Sequence, residues 1–224
     1  MQVICFDFDD VIVDGNLVFR LIKLRPEFSE LELGFEFMFE NQKPKEFYKV
    51  IKKIVKVGKG LGFDEIKKIM FDFEVINGTK RVLKKLKENY KIVIVSANDT
   101  GMIKEFLKKH KLLECIDRIY GSKLGVKNGR LTGKISGDVI RTEKTAIVKN
   151  IENAYRIKRK DITYIGDGLT DLPIIKMVGK GILFCPSMIT QAEVFRDKIL
   201  SKMEKDGKLF LIEKKDLDEI LRFV

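Results

Sequence analysis

Short apolar runs alternate with amphipathic segments along most of the chain. The runs Val3 to Phe6 and Lys91 to Val95 are rich in β-branched residues, and runs this short favour buried strands over helices. Similar runs at Ile162 to Ile165, Ile182 to Phe184 and Leu209 to Ile212 are separated by helical patterns. Strands that alternate with helices predict an α/β fold built on a doubly wound parallel sheet.

One aromatic-rich segment, residues 15–74, interrupts this alternation. Its apolar residues recur at spacings of three and four, as in amphipathic helices, and no strand pattern lies between them. We therefore predict an inserted helical cap at 15–74 and an α/β core made of 1–14 and 75–224. We expect most of its Phe side chains to pack in the core and some to cover a pocket. The predicted cap helices lie near 16–24, 27–40, 45–57 and 64–72.

Two further elements are predicted in the second half of the chain. Residues 122–135 alternate around Asn128-Gly129, which predicts a small β-hairpin. Thr142 is expected to cap a helix that runs to about Ile157 and holds Lys144 in its first turn. The helix dipole disfavours a cation there, so Lys144 suits a residue that meets an anion. Lys134 and Lys149 are alternatives if the helix begins elsewhere.

Length and cysteine usage restrict the class of protein. The 224 residues suit one large domain, or a core with a smaller insertion. Three widely spaced cysteines argue against a disulfide framework and a zinc site. No apolar run approaches the ~18 residues of a membrane span, and the first residues lack a signal-peptide pattern. We therefore expect a cytoplasmic protein without a membrane partner.

The net charge of +11 raises the question of nucleic acid. The basic residues are mostly Lys spread along helical patterns, not an Arg-rich patch interleaved with aromatic residues. This pattern favours solvated helix faces, and we expect no specific nucleic-acid partner. A basic nucleic-acid-binding protein without catalysis stays open as an alternative. The single histidine, His110, excludes a His-based triad and a His-rich metal site.

Acidic residues crowd the end of the first predicted strand. Asp7, Asp9, Asp10 and Asp14 follow Phe6 closely. Carboxylates so close together repel one another and lose hydration where the strand end is buried, unless a cation lies among them. An acidic turn that leaves a strand is the simpler alternative.

Two other predicted strand ends carry polar residues. Ser96 follows Val95, and Asp167 and Asp171 follow Ile165. The carboxyl ends of parallel strands share one edge of the sheet, so we expect these side chains to converge with Asp7. Carboxylates, a hydroxyl and a lysine suit phosphoryl transfer, and oxygen ligands favour Mg²⁺.

These residues form an ordered set of four motifs that resembles the haloacid dehalogenase superfamily. The set consists of Asp7-Phe8-Asp9-Asp10-Val11, Ser96, Lys144 and Gly166-Asp167-Gly168-x-x-Asp171. The inserted helices, Leu131-Thr132-Gly133 and Lys215-Asp216-Leu217 resemble the phosphoserine phosphatase-like branch. The resemblance implies a Rossmann-like core and a Mg²⁺-dependent phosphomonoester hydrolase that acts on a small phosphorylated metabolite through an aspartyl-phosphate.

The resemblance also implies a catalytic role for two aspartates. Asp7 would attack phosphorus, and Asp9 would protonate the leaving oxygen and then activate water. Transfer to an alcohol instead of water, which makes a phosphotransferase, is an alternative that these residues leave open.

The remaining motif residues would hold the phosphate and the metal. Ser96 and the backbone N–H of Ala97 would bind phosphate oxygens, and Lys144 would neutralise their charge. Asp167 would hold Mg²⁺ together with Asp7 and the carbonyl group of Asp9. Asp171 would lie outside the set of metal ligands and would support them.

Departures from the branch concern the substrate. Asn16 stands where phosphoserine phosphatases have Glu, and Ile54 stands where they have a cap Arg. Ala97-Asn98 replaces a Gly pair, and Thr170 replaces a common Asn. A site without charged partners binds a charged substrate poorly. We therefore hypothesise a small phosphomonoester that is more apolar than phosphoserine.

Overall fold

The computed structural model describes residues 1–24, 28, 44–142 and 144–224. The predicted helix near 27–40 lies outside this range apart from residue 28. The strands are β1 (Gln2–Phe6), β2 (Val13–Asp14), β3 (Glu74–Val75), β4 (Tyr90–Asp99), β5 (Arg118–Lys127), β6 (Arg130–Ser136), β7 (Ile162–Gly166), β8 (Lys180–Phe184) and β9 (Leu209–Ile212). The helices are α1 (Leu17–Leu24), α2 (Pro44–Val57), α3 (Phe63–Phe71), α4 (Thr79–Lys87), α5 (Thr100–Lys109), α6 (Asp138–Thr142), α7 (Thr145–Tyr155), α8 (Leu172–Ile175), α9 (Met188–Arg196) and α10 (Lys198–Lys205), followed by a 3₁₀ helix at Leu217–Arg222.

Seven strands form one sheet in the order β6-β5-β4-β1-β7-β8-β9. All neighbours are parallel except β5 and β6, which are antiparallel. Strand β1 lies in the middle, and its residues Val3 to Phe6 are fully buried. A strand covered on both faces needs a continuous apolar run, which explains its sequence. The predicted doubly wound α/β fold is confirmed.

The chain order makes β1 the switch point of the sheet. From β1 the chain passes outward to β4 and β5, and then returns to β7 on the other side of β1. Ligands bind in open α/β sheets beyond the carboxyl ends of the strands at such a point. We therefore expect a ligand site at the carboxyl ends of β1, β4 and β7.

Helices α1, α2 and α3 lie within the predicted cap range. Helix α2 buries Tyr48, Ile51, Ile54 and Val55, a stripe at helical spacing, and the helix packs against β6. Strands β2 and β3 pair antiparallel at the two ends of the inserted segment, a feature that the sequence pattern did not reveal. The division into 1–14 with 75–224 and 15–74 stays a prediction.

The β-hairpin is confirmed. Strands β5 and β6 pair antiparallel around Asn128 (φ 51°) and Gly129 (φ 71°). Two consecutive left-handed residues make the tight turn that Asn-Gly favours. Strand β5 is longer than expected, because its first half pairs with β4 in the main sheet before the hairpin begins.

The predicted helix start before Lys144 was wrong. Thr142 ends helix α6, and the next helix, α7, begins only at Thr145. Lys144 occupies the N-cap position with a left-handed backbone (φ 67°). A non-glycine residue in that conformation costs of order 1–3 kcal/mol and persists where the surroundings hold it.

No helix in the described ranges combines the length and the apolar character that crossing a bilayer requires.

Candidate active site

The carboxyl ends of β1, β4 and β7 meet at one point of the sheet edge. The backbone N–H of Asp7, the residue after β1, donates to the carbonyl oxygen of Ile165 over 2.8 Å. Asp7 therefore lies directly beside the end of β7. Ser96, within β4, is buried and lines the same pocket as Asp7.

Lys144 joins two of the predicted aspartates. Its Nζ donates to Oδ2 of Asp7 over 2.6 Å and to Oδ1 of Asp171 over 2.7 Å. The lysine side chain is 2% exposed, so this is a buried charge that depends on both partners. Two charge-assisted hydrogen bonds offset the strained backbone of Lys144.

Asp171 is fully buried and holds the loop after β7. Its Oδ1 also accepts from the hydroxyl of Tyr164 over 2.8 Å. Its Oδ2 accepts from the backbone N–H groups of Asp167 (3.1 Å) and Gly168 (3.2 Å). Together with Lys144, these groups give Asp171 four hydrogen-bond donors. They hold its carboxylate in place, so that Asp171 can support the neighbouring groups. The contribution of Tyr164 was not foreseen, because an apolar strand pattern does not single out one phenol.

Asp9 is held by Asn98, one of the positions at which the chain departs from the phosphoserine phosphatase-like pattern. Nδ2 of Asn98 donates to Oδ1 of Asp9 over 2.8 Å. The backbone N–H of Asn98 donates to Oγ of Ser96 over 3.2 Å, which links the two residues. A polar side chain two positions after Ser96 at a strand end is the signal that could have identified Asn98.

The pKa values indicate an excess of negative charge. Burial raises the pKa of Asp7 to about 7, although Lys144 opposes this, and Asp171 raises it further. Burial raises the pKa of Asp9 well above its usual range, and the charge of Asp7 adds to the effect. Burial and the charge of Asp171 likewise raise the pKa of Asp167. The carboxylates would ionise fully only with additional positive charge nearby.

The donor set fits a divalent cation that prefers oxygen. Asp7, Asp167 and Asp171 each offer one carboxylate oxygen, and these atoms lie within 4.8 Å of one another. This described group contains neither Cys nor His. Hard oxygen donors and uncompensated negative charge are the properties that Mg²⁺ requires.

The predicted site residues line one pocket, apart from Asp171, which is fully buried beside it. Phe19 of α1 and Phe47 of α2, both within the predicted cap range, also line it, as expected for some aromatic residues of this segment. Lys134 and Lys149 are exposed and line other grooves, so Lys144 is the lysine at this site. The pocket is lined by Asp7, Asp9, Asp10, Asn16, Phe19, Phe47, Ser96, Ala97, Lys144, Asp167, Gly168, Leu169 and Thr170.

This protein has the fold and the site of a class of hydrolases. In that class, carboxylates lie at the switch point of a doubly wound sheet. A family model, haloacid dehalogenase-like hydrolase, matches residues 4–176. The chain belongs to this family, which confirms the resemblance read from its motifs.

Individual relatives lie in one branch of the family. Phosphoserine phosphatase of Methanocaldococcus jannaschii is 26% identical over 235 residues, which cover 100% of this chain and 97% of that protein. Phosphoserine phosphatase of Archaeoglobus fulgidus is 29% identical over 218 residues, or 92% of this chain, but the chain spans only 57% of that relative. A solved structure described as a phospho-aspartyl intermediate analogue of phosphoserine phosphatase has a TM-score of 0.78 at 26% identity, and covers 100% of this chain and 98% of that one. The predicted phosphoserine phosphatase-like branch is confirmed.

Proposed function

We propose that this protein is a Mg²⁺-dependent phosphatase that hydrolyses a small phosphomonoester through an aspartyl-phosphate. The observation that carries the proposal is the buried contact of Lys144 with both Asp7 and Asp171 at the switch point of the sheet. The relatives named phosphoserine phosphatase and the solved phospho-aspartyl analogue support the same chemistry.

Asp7 is the proposed nucleophile. One of its carboxylate oxygens forms a bond to phosphorus while the bond from phosphorus to the leaving oxygen breaks. Asp9 gives its proton to that oxygen, and the product leaves as a neutral alcohol. Burial raises the pKa of Asp9 well above its usual range, which favours the protonated form that a general acid requires.

Asp9 also serves the second half of the reaction. The carboxylate left by the first step takes a proton from water, whose oxygen attacks phosphorus. The bond between phosphorus and Asp7 then breaks, which releases inorganic phosphate and regenerates both aspartates. Asn98 keeps Asp9 oriented through both steps.

The remaining residues bind charge. Ser96 and the backbone N–H of Ala97 would donate to phosphate oxygens, and Lys144 would neutralise part of their charge. The ligands of Mg²⁺ would be the side chains of Asp7 and Asp167 and the backbone carbonyl group of Asp9. Asp171 would support these ligands. When bound, the ion would offset the repulsion between anionic Asp7 and an anionic phosphate ester.

Phosphate release from a panel of phosphomonoesters tests the proposal. We expect release that requires Mg²⁺, that stops with a chelator, and that falls at least about 1,000-fold in Asp7→Asn. Asp206→Asn, an exposed residue after helix α10, is the matched control and should keep wild-type activity. Full activity in Asp7→Asn would disprove the mechanism. A new ester formed when alcohols are added would instead identify a phosphotransferase.

A further inference from the structure

A second cavity lies beside the catalytic pocket, between the cap helices and the sheet. It has a volume of about 50 Å³. Its walls come from α1, α2, the end of β4 and the hairpin, and include Leu17, Leu21, Ile51, Ile54, Leu124 and Leu131. Its lining is therefore mostly aliphatic, in contrast to the acidic pocket next to it.

The two cavities share a wall on the side of Asp9. Ala97 lines both cavities, and the consecutive residues Asn16 and Leu17 line one each. Asn98 lines the aliphatic cavity while its amide group donates to Asp9. Asp9 is the proposed proton donor to the leaving oxygen, so the aliphatic cavity is adjacent to the position of the leaving group.

The described lining residues offer no partner for a charged group. None of them is Lys or Arg, and Asp99 is the single acid. The Asp99 carboxylate already accepts from the backbone N–H groups of Gly101, Met102 and Leu124 at 2.8 to 3.1 Å. In the adjacent pocket, Lys144 is the one cation among the described lining residues, and Asp7 and Asp171 occupy it.

One lining residue carries an unused polar group. Ser122 is 1% exposed, and its hydroxyl group has no hydrogen-bond partner in the described part of the chain. A buried hydroxyl without a partner is costly, so a ligand that supplies one gains binding free energy. This is a second observation that points to a ligand, independent of the aliphatic walls.

We propose that this cavity is the leaving-group subsite and that the substrate is the phosphate ester of a short, uncharged aliphatic alcohol with one neutral polar group that reaches Ser122. The proposal rests on the phosphatase function proposed above. A dry engineered cavity of about 150 Å³ holds benzene, so a cavity of about 50 Å³ suits a short alkyl group better than an aromatic ring. An unpaired ammonium or carboxylate group would lose its hydration there without compensation.

A substrate series tests the subsite. We compare kcat/KM for ethyl, propyl, isobutyl and 3-hydroxypropyl phosphate with the values for phosphoserine and phosphoethanolamine. Each added methylene should raise kcat/KM up to about fourfold until the cavity is full. The two charged esters should be at least about 100-fold poorer than isobutyl phosphate. Phosphoserine hydrolysed as well as the best alkyl ester would overturn the proposal.

Cavity variants give a second measurement. Ile54→Ala enlarges the cavity and should move the preferred alkyl chain to a longer one, with Ile54→Val as a milder version in case Ile54→Ala folds poorly. Ser122→Ala should remove the advantage of 3-hydroxypropyl over propyl phosphate. Val57→Ala, an exposed position of the same helix α2, should keep the wild-type preference. Unchanged preferences in the Ile54 and Ser122 variants would overturn the subsite.

Oxygen exchange separates this proposal from the phosphatase function. Incorporation of ¹⁸O from labelled water into inorganic phosphate needs the aspartyl-phosphate but no alcohol. Exchange without a preference for uncharged alkyl esters would refute the subsite and leave the phosphatase function intact. No exchange and no ester hydrolysis would refute the phosphatase function, and the subsite with it.

Discussion

The side-chain amide of Asn98 donates to Oδ1 of Asp9 over 2.8 Å, which ties the end of β4 to the loop after β1. Asn98 is also anchored, since its backbone N–H donates to Oγ of Ser96. The same residue thus lies between the proposed proton donor and a proposed phosphate ligand. We therefore propose that Asn98 orients Asp9 and does not itself react.

We expect Asn98→Ala to lower kcat about tenfold, because Asp9 loses its orienting hydrogen bond, while KM changes little. Steady-state kinetics on the best ester of the panel measures both constants. Asn89→Ala, an exposed position before β4, is the control and should behave as wild type. A large rise in KM with unchanged kcat would mean that Asn98 binds substrate and does not orient Asp9.

Removal of the Lys144 charge should destabilise the fold. Lys144→Met leaves the buried carboxylates of Asp7 and Asp171 uncompensated, and we expect a loss of about 3 kcal/mol in the free energy of unfolding. Urea unfolding measures the difference. Lys149→Met, on the exposed side of α7, should stay within about 0.5 kcal/mol of wild type. Equal stability of the two variants would contradict the role of Lys144.

The end of β7 and the loop that follows should differ in their tolerance of a methyl group at a glycine. A Cβ at Gly166 would lie 2.3 Å from Cγ of Asp171, whereas a Cβ at Gly168 meets no atom within 4 Å. We expect Gly166→Ala to lower the free energy of unfolding by about 2 kcal/mol, because Asp171 must move away from its donors. Thermal unfolding compares the two variants. A larger loss in Gly168→Ala would show that this loop packs differently.

Asp117 should give a pH-dependent contribution to stability. Burial opposes its ionisation, but hydrogen bonds from Lys87, the backbone N–H of Ile92 and Lys91 outweigh burial and lower its pKa below 3.8. A carboxyl whose pKa is lower in the folded than in the unfolded state stabilises the fold above the unfolded pKa. This contribution is lost as the pH falls through the folded pKa.

We therefore expect Asp117→Asn to lower the free energy of unfolding by about 1–2 kcal/mol at pH 7 and by much less near pH 3. Denaturant unfolding at the two pH values measures this difference. Asp206→Asn provides the control for the loss of a surface charge. The same deficit at both pH values would mean that the charge of Asp117 is not the source of the stabilisation.

The sequence by itself determined most of the elements and the candidate reacting groups. The buried strands and the hairpin follow from local periodicity and turn chemistry, as the runs before Asp7 and Asp167 and the Asn128-Gly129 turn illustrate. Asp7, Asp9, Ser96 and Asp167 were identifiable because each follows an apolar strand at the edge where parallel strands place ligands.

Only the tertiary structure decided how these groups are supported. Lys144 meets Asp7 across 137 positions of sequence, and Asn98 meets Asp9 across 89. Local patterns carry no information on such pairs, which depend on strand order and register. The left-handed backbone of Lys144 occurs where its side chain is held by Asp7 and Asp171. The aliphatic cavity around Ile54 and Ser122 exists only because helix α2 packs beside the ends of β4 and the hairpin.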